Sequence, residues 1–179
     1  MVWGWYMEML EMLKESIEKI VRERIDKHSR LGEKDIQPAG FFYSEDDFQI
    51  SLIHEFEFQD NYKDFIVHYE KSYGREYLID IVLEKDSKLY PIELKYVYKE
   101  NDVPYGTDDP KKFKDDIVKM LKICKEKENI KYAYCIALSG QDNFIQDILI
   151  DVHNYKFVYQ PIKNTRFHYL IVEVSRKGK

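Results

Sequence analysis

Asp80, Glu93 and Lys95 are charged residues set inside runs of otherwise apolar side chains. The stretch Tyr77 to Tyr96 reads YLIDIVLEKDSKLYPIELKY, two runs rich in Ile, Leu, Val and Tyr around a polar break from Glu84 to Lys88. That pattern predicts a β-hairpin with its turn in the break. If Asp86 and Ser87 form a two-residue turn, residue 85 pairs with 88, 83 with 90, and 80 falls opposite 93. Side chains alternate faces along a strand and cross-strand partners share a face, with Cβ atoms about 5 Å apart. The expectation is a cluster of Asp80, Glu93 and Lys95 on one side, with Ile79, Ile81, Leu83, Ile92 and Leu94 forming the apolar other side. A one-residue slip of register would scatter the cluster.

Two facing carboxylates repel each other unless a cation lies between them. Lys95 supplies part of that charge. A hard divalent cation fits better, because Mg²⁺ takes carboxylate oxygens, waters and substrate phosphate together. The plain alternative is a surface face carrying one ion pair and a spare acid. Spacing alone leaves both readings open.

Asp80, twelve intervening residues and then Glu93-Leu94-Lys95 resembles the motif of the PD-(D/E)XK nuclease superfamily, which has the restriction-endonuclease-like fold. Ile79 stands where the family name has Pro. The resemblance implies that Asp80 and Glu93 bind Mg²⁺, with Mn²⁺ as a substitute. It implies that Lys95 positions or activates the attacking water and that the substrate is DNA. It further implies a glutamate on the helix before the sheet that completes the metal site, with Glu45 the first candidate ligand and Glu55 the second; Glu70, ending the strand before the hairpin, is a further candidate. Members of the superfamily also place a polar loop after this strand. A helix follows, opening on a basic-aromatic patch and an acidic-Ile pair. Phe113-Lys114-Asp115-Asp116-Ile117-Val118-Lys119-Met120-Leu121 is similar, so Lys119 or Asp116 is expected to face the site.

The elements that must carry these residues follow from periodicity. From Trp5 to His28, Met9, Leu13, Ile17, Ile20, Val21 and Ile25 recur at helical spacing between charged residues. Packing of this helix on the core is the default, and a homodimer the alternative. Leu31 to Gly40 reads as a linker. Ser44 reads as an N-cap with Asp47 as its acidic partner in the first turn. The helix that follows runs to about Phe58, with Phe48, Leu52 and Phe56 as its inner stripe and Glu45 and Gln49 continuing that stripe. Phe65 to Glu70 reads as a strand, with a turn at Gly74 leading into the hairpin.

After a polar loop, Lys111 to Glu128 reads as a helix with Phe113, Ile117, Leu121 and Cys124 on one face and Pro110 at its start. Its lysine run is ordinarily a solvated face. In a nuclease, Lys111, Lys112, Lys114 and Lys119 are instead expected to contact phosphates. Tyr132 to Leu138 reads as a buried strand and Phe144 to Asp151 as a short helix. Lys156 to Pro161 and Phe167 to Val174 read as two last strands around a turn at Lys163 to Thr165.

The expected fold is α/β: a restriction-endonuclease-like αβββαβ core with a mixed central sheet flanked by helices, plus an N-terminal helix and C-terminal strands. Residues 1–40 form the N-terminal helix and linker, and 41–179 the nuclease-like domain.

Composition fits this reading. At 179 residues, the chain is long enough for one domain with a sizeable core. It lacks an apolar run of the about 20 residues that would span a bilayer, and its N-terminus lacks a basic leader. No membrane partner and a cytoplasmic location are therefore expected. Cys124 and Cys135 suit neither zinc nor a disulfide framework and read as buried free thiols. None of the five histidines has metal-ligand spacing. A net charge of −5 argues against a non-specific nucleic-acid coat, while a local basic face remains compatible with phosphate contacts. Beside the nuclease stands a second expectation, a catalytically inactive module of the same fold binding nucleic acid or a protein partner.

Overall fold

The N-terminal periodicity folds as read. In the computed structural model, α1 spans Gly4–Arg30 and buries Met9, Leu13, Ile17, Ile20 and Val21. Ser44 caps α2 (Glu45–Phe58), its Oγ accepting the Asp47 N–H at 3.2 Å. Phe48, Leu52 and Phe56 are buried on its inner face. The structure describes residues 4–30, 42, 44–73, 77–97, 99–100, 103–104, 110–140, 145–146, 148–149 and 154–176.

Strand β1 (Ile66–Tyr73) leads into the hairpin of β2 (Tyr77–Lys85) and β3 (Lys88–Val97). Two short strands follow, β4 (Lys99–Glu100) paired with β5 (Val103–Pro104), and then α3 (Pro110–Glu126). The chain ends with β6 (Tyr132–Ser139), β7 (Lys156–Pro161) and β8 (His168–Ser175). Six strands form one sheet in the order β1-β2-β3-β6-β8-β7. All neighbours are antiparallel except β3 and β6, which are parallel. A parallel pair needs a crossover, and α3 supplies it. The result is an α/β fold with a mixed six-stranded sheet and three helices among the described residues.

The hairpin turn sets the register as expected. Asp86 (φ 51°) and Ser87 (φ 61°) are both left-handed, as a two-residue type I′ turn requires, and Lys85 pairs with Lys88 and Leu83 with Tyr90. Two cores lie on opposite faces of the sheet. On one, α1 and α2 pack on Ile81, Leu83, Ile92, Leu94, Ile136 and Ile171. On the other, α3 packs Phe113, Ile117, Met120 and Ile123 on Val82, Val97, Cys135 and Val172.

Ile79 departs from the expected pattern. It joins the α3-side core with Val82, not the face of Ile81 and Leu83. Strict alternation therefore fails at Asp80. The strand beside it is irregular at the same level: Glu70, between the pairs Tyr69↔Ile81 and Lys71↔Ile79, has φ 48°. A left-handed non-glycine residue is costly inside a strand and marks a local break. The expected linker at 31–40 and the turn at Gly74 lie outside the described residues. Of the expected helix at 144–151, residues 145, 146, 148 and 149 are described and are helical, with Ile145 and Ile148 buried. Both cysteines are buried free thiols. No described helix is long and apolar enough to cross a membrane.

Candidate active site

Asp80 sits where β2 and β3 part. Their paired residues run from Lys85↔Lys88 to Ile81↔Ile92, which places Asp80 and Glu93 at the next step. There Asp80 Oδ2 accepts the Leu94 N–H at 2.7 Å, so a backbone donor of β3 goes to the Asp80 carboxylate. The Asp80 carbonyl accepts the Gln49 Nε2–H from α2 at 2.8 Å. The side chain and the main chain of Asp80 are thus fixed from two elements.

Glu93 is buried, its side chain 7% exposed, and its Oε2 accepts from Lys119 Nζ of α3 at 2.7 Å. Its Oε1 is buried with no hydrogen-bond partner. Lys119 also lies 3.3 Å from Asp116 Oδ1, one turn earlier on the same helix. Asp116 and Lys119 flank the apolar stripe of Phe113, Ile117 and Met120 that seats α3 on the sheet, so packing of the stripe brings both to Glu93.

Lys95 stands two residues beyond Glu93, and its Nζ is 3.1 Å from Glu45 Oε1. Glu45 Oε2 accepts the Tyr96 N–H at 3.1 Å. As the first residue of α2, Glu45 lies at a helix N-terminus, where an acid is favoured. Both of its oxygens are therefore engaged, one with a lysine and one with the backbone of β3.

The electrostatics are those of crowded, shielded acids. Burial pushes the Asp80 carboxyl up to about 6, against the Leu94 N–H, which lowers it, and Glu45 adds repulsion. Burial, then the neighbouring Asp80, pushes Glu93 up to about 8, and Lys119 offsets only part of this. Burial would lower Lys119, but Glu93 and Asp116 hold it above its ordinary value and keep it cationic. Strongly shifted acids converging with a lysine make this a candidate functional site.

The predicted residues separate into groups. Asp80, Glu93, Lys119 and Asp116 converge, and Lys95 and Glu45 form an adjoining pair. Glu55 is elsewhere, buried against Lys19 at 3.0 Å, and Glu70 is exposed on the edge strand β1. Lys111 and Lys112 are exposed in the first turn of α3, and Lys114 is half-buried. Lys119 turns inward to Glu93. Gln49 is the residue that sequence reasoning placed on the helix stripe without giving it a role. A neutral amide bonded to a main-chain carbonyl leaves no charge signal in the sequence.

Among the described residues, no group of three or more His, Cys, Asp and Glu side chains is arranged to hold a metal ion. The donor set present is narrower, two neighbouring carboxylates with one buried, unpartnered oxygen. It suits Mg²⁺, which binds through one or two carboxylates and keeps several waters. Comparison of the chain with protein-family models, with curated proteins and with solved structures gives no match.

Proposed function

We propose that this chain is a Mg²⁺-dependent nuclease that hydrolyses phosphodiester bonds in DNA, with a PD-(D/E)XK-type site on a restriction-endonuclease-like core. The observation that carries the reading is the meeting of Asp80 and Glu93 where β2 and β3 part, with Lys95 two residues further on. The succession α2, β1, β2, β3, α3, β6, interrupted after β3 only by the short β4–β5 pair, supports it, being the αβββαβ order that the resemblance implies.

Asp80 and Glu93 would hold the ion through their carboxylates, displacing the protons that burial favours. Bound there, Mg²⁺ would stabilise charge developing on the scissile phosphate and lower the pKa of a coordinated water. Lys95 would orient that water and steady the charge, with Glu45 fixing the reach of its ammonium. The Leu94 N–H and Gln49 hold Asp80 in place without touching substrate. Lys111 and Lys112, exposed at the start of α3, would contact DNA phosphates with salt-sensitive affinity.

One observation favours a second reading, a non-catalytic module on the same scaffold that binds nucleic acid or a protein: Lys95 and Lys119 already answer Glu45 and Glu93 within the chain. Plasmid and single-stranded DNA incubated with wild type or Glu93→Ala, in Mg²⁺, Mn²⁺ or EDTA, separates the two. Metal-dependent cutting by wild type alone is expected. The absence of cutting on either substrate, with no metal-induced shift in melting temperature, would leave only the binding module.

A further inference from the structure

Lys119 is a charged group at the site that the proposed chemistry does not use. It reaches the site from α3, across from the hairpin, and touches two acids, Glu93 Oε2 at 2.7 Å and Asp116 Oδ1 at 3.3 Å. Its side chain is 22% exposed, so the pair with Glu93 is shielded from water and stronger than a surface ion pair. The other oxygen of Glu93 is buried and unpartnered. A dication approaching Glu93 therefore meets a carboxylate that already carries an ammonium. Lys119 also has a second place to rest. Asp116 is close enough that a small side-chain movement keeps Lys119 next to a counter-ion when it leaves Glu93.

We infer that Lys119 is an internal competitor of the divalent cation at Glu93, holding Oε2 in the metal-free protein and yielding it by shifting onto Asp116. This rests on the reading of Asp80 and Glu93 as the cation's ligands. Lys119 is then a positioning residue that sets how much cation the site needs. A purely structural role predicts the opposite sign. If Lys119 only held Glu93 in place, removing it would loosen cation binding; if it competes, removing it tightens binding.

The test is titration of Mn²⁺ into the full chain without DNA, followed by calorimetry and by the loss of the free-ion paramagnetic signal. Lys119→Met should bind at least about tenfold more tightly than wild type, while Lys119→Arg, which keeps the charge, stays within about threefold. Asp116→Asn, which removes the alternative resting place, should bind a few-fold more weakly. If Lys119→Met does not fold, Lys119→Gln carries the same expectation and retains a hydrogen bond to Glu93.

Binding by Lys119→Met equal to or weaker than wild type, with binding abolished in Glu93→Gln, overturns the competition and leaves the metal site standing. Wild-type binding that survives in Glu93→Gln, or no binding by any form, overturns Glu93 as a ligand and the competition with it.

Discussion

Two glutamates are buried in inner strands of the same sheet and look alike in isolation. Glu93 on β3 faces α3, and Glu173 on β8 faces the α1 side. Each leaves one carboxylate oxygen buried without a hydrogen-bond partner. Burial alone pushes Glu173 up to about 7, and the nearest lysine ammonium, from Lys156, stands 4.0 Å away. Glu93 is pushed further, to about 8, because Asp80 adds repulsion to burial, and a lysine approaches to 2.7 Å. A lone buried acid costs stability and does nothing else that the geometry reveals. A buried acid beside a second acid and a lysine holds several charges that a divalent cation would reorganise. Burial is thus a weak sign of function, and convergence of charges is the stronger one.

The sharpest way to break this comparison is activity. Glu93→Ala or Asp80→Asn should lower metal-dependent cleavage by at least about 10³-fold, since in the proposed mechanism the ion and its water would depend on both carboxylates. Glu173→Gln should leave cleavage within about twofold, because surface and core changes away from a site act mainly on stability. Equal losses in the two glutamate variants would show that burial, not convergence, is what the fold needs. A smaller effect tests the adjoining pair. Lys95→Ala should cost about 10²-fold in kcat, in the range for loss of a positioned proton-transfer or charge-stabilising group, and Glu45→Gln less, about tenfold, because it acts through Lys95. If Glu45→Gln instead abolishes Mn²⁺ binding, Glu45 is a ligand rather than a clamp.

How much of this was legible beforehand varied with the kind of signal. The hairpin register follows once Asp86 and Ser87 are the two-residue turn, and the period of two then carries Asp80 and Glu93 to the step beyond Ile81↔Ile92. The stripes of α1 and α2 were readable because Leu13, Ile17, Phe48 and Leu52 repeat at helical spacing. The side taken by Ile79 was not, because the irregularity at Glu70 is a tertiary effect that leaves no mark in composition. For α3, the stripe was largely found but one member misplaced: Met120 and Ile123 are fully buried, whereas Leu121 is half-buried. The inward turn of Lys119 was suggested only by the resemblance of the motif, since seven lysines in one segment read as a solvated face until the sheet beneath shows that Lys119 meets Glu93. Gln49 and Glu173 gave no warning. An amide and a single strand glutamate are commonplace residues until their surroundings are known.

Stability brings the two glutamates back together. Both are protonated more readily in the folded chain than in the unfolded one, so Glu93→Gln and Glu173→Gln should each stabilise the metal-free protein at pH 9 by about 1–3 kcal/mol, or a few degrees in Tm. Mn²⁺ should then separate them, raising the Tm of Glu173→Gln as it does that of wild type and leaving Glu93→Gln unmoved.

The pH profile reads the same shifts together, and its sign is fixed by their direction. Asp80 rises from 3.8 to about 6 and Glu93 from 4.5 to about 8, so the folded state holds protons that the unfolded state has released. Their contribution to stability is complete below the unfolded values and is lost as pH rises through the folded ones. Metal-free wild type should therefore lose Tm from about pH 5, most steeply between about pH 5 and 6, where Asp80, Glu93 and Glu173 are protonated mainly in the folded chain, and the loss should level off above about pH 8. The Asp80→Asn, Glu93→Gln double variant should keep only the part of that slope that belongs to Glu173, which fades as pH rises through about 7. Saturating Mn²⁺ should flatten the wild-type curve to the same residual slope, because a cation on Asp80 and Glu93 replaces the protons they would otherwise hold. A metal-independent slope that survives in the double variant at full size would assign the titration to Glu173 and remove Asp80 and Glu93 from the account of how this protein responds to pH.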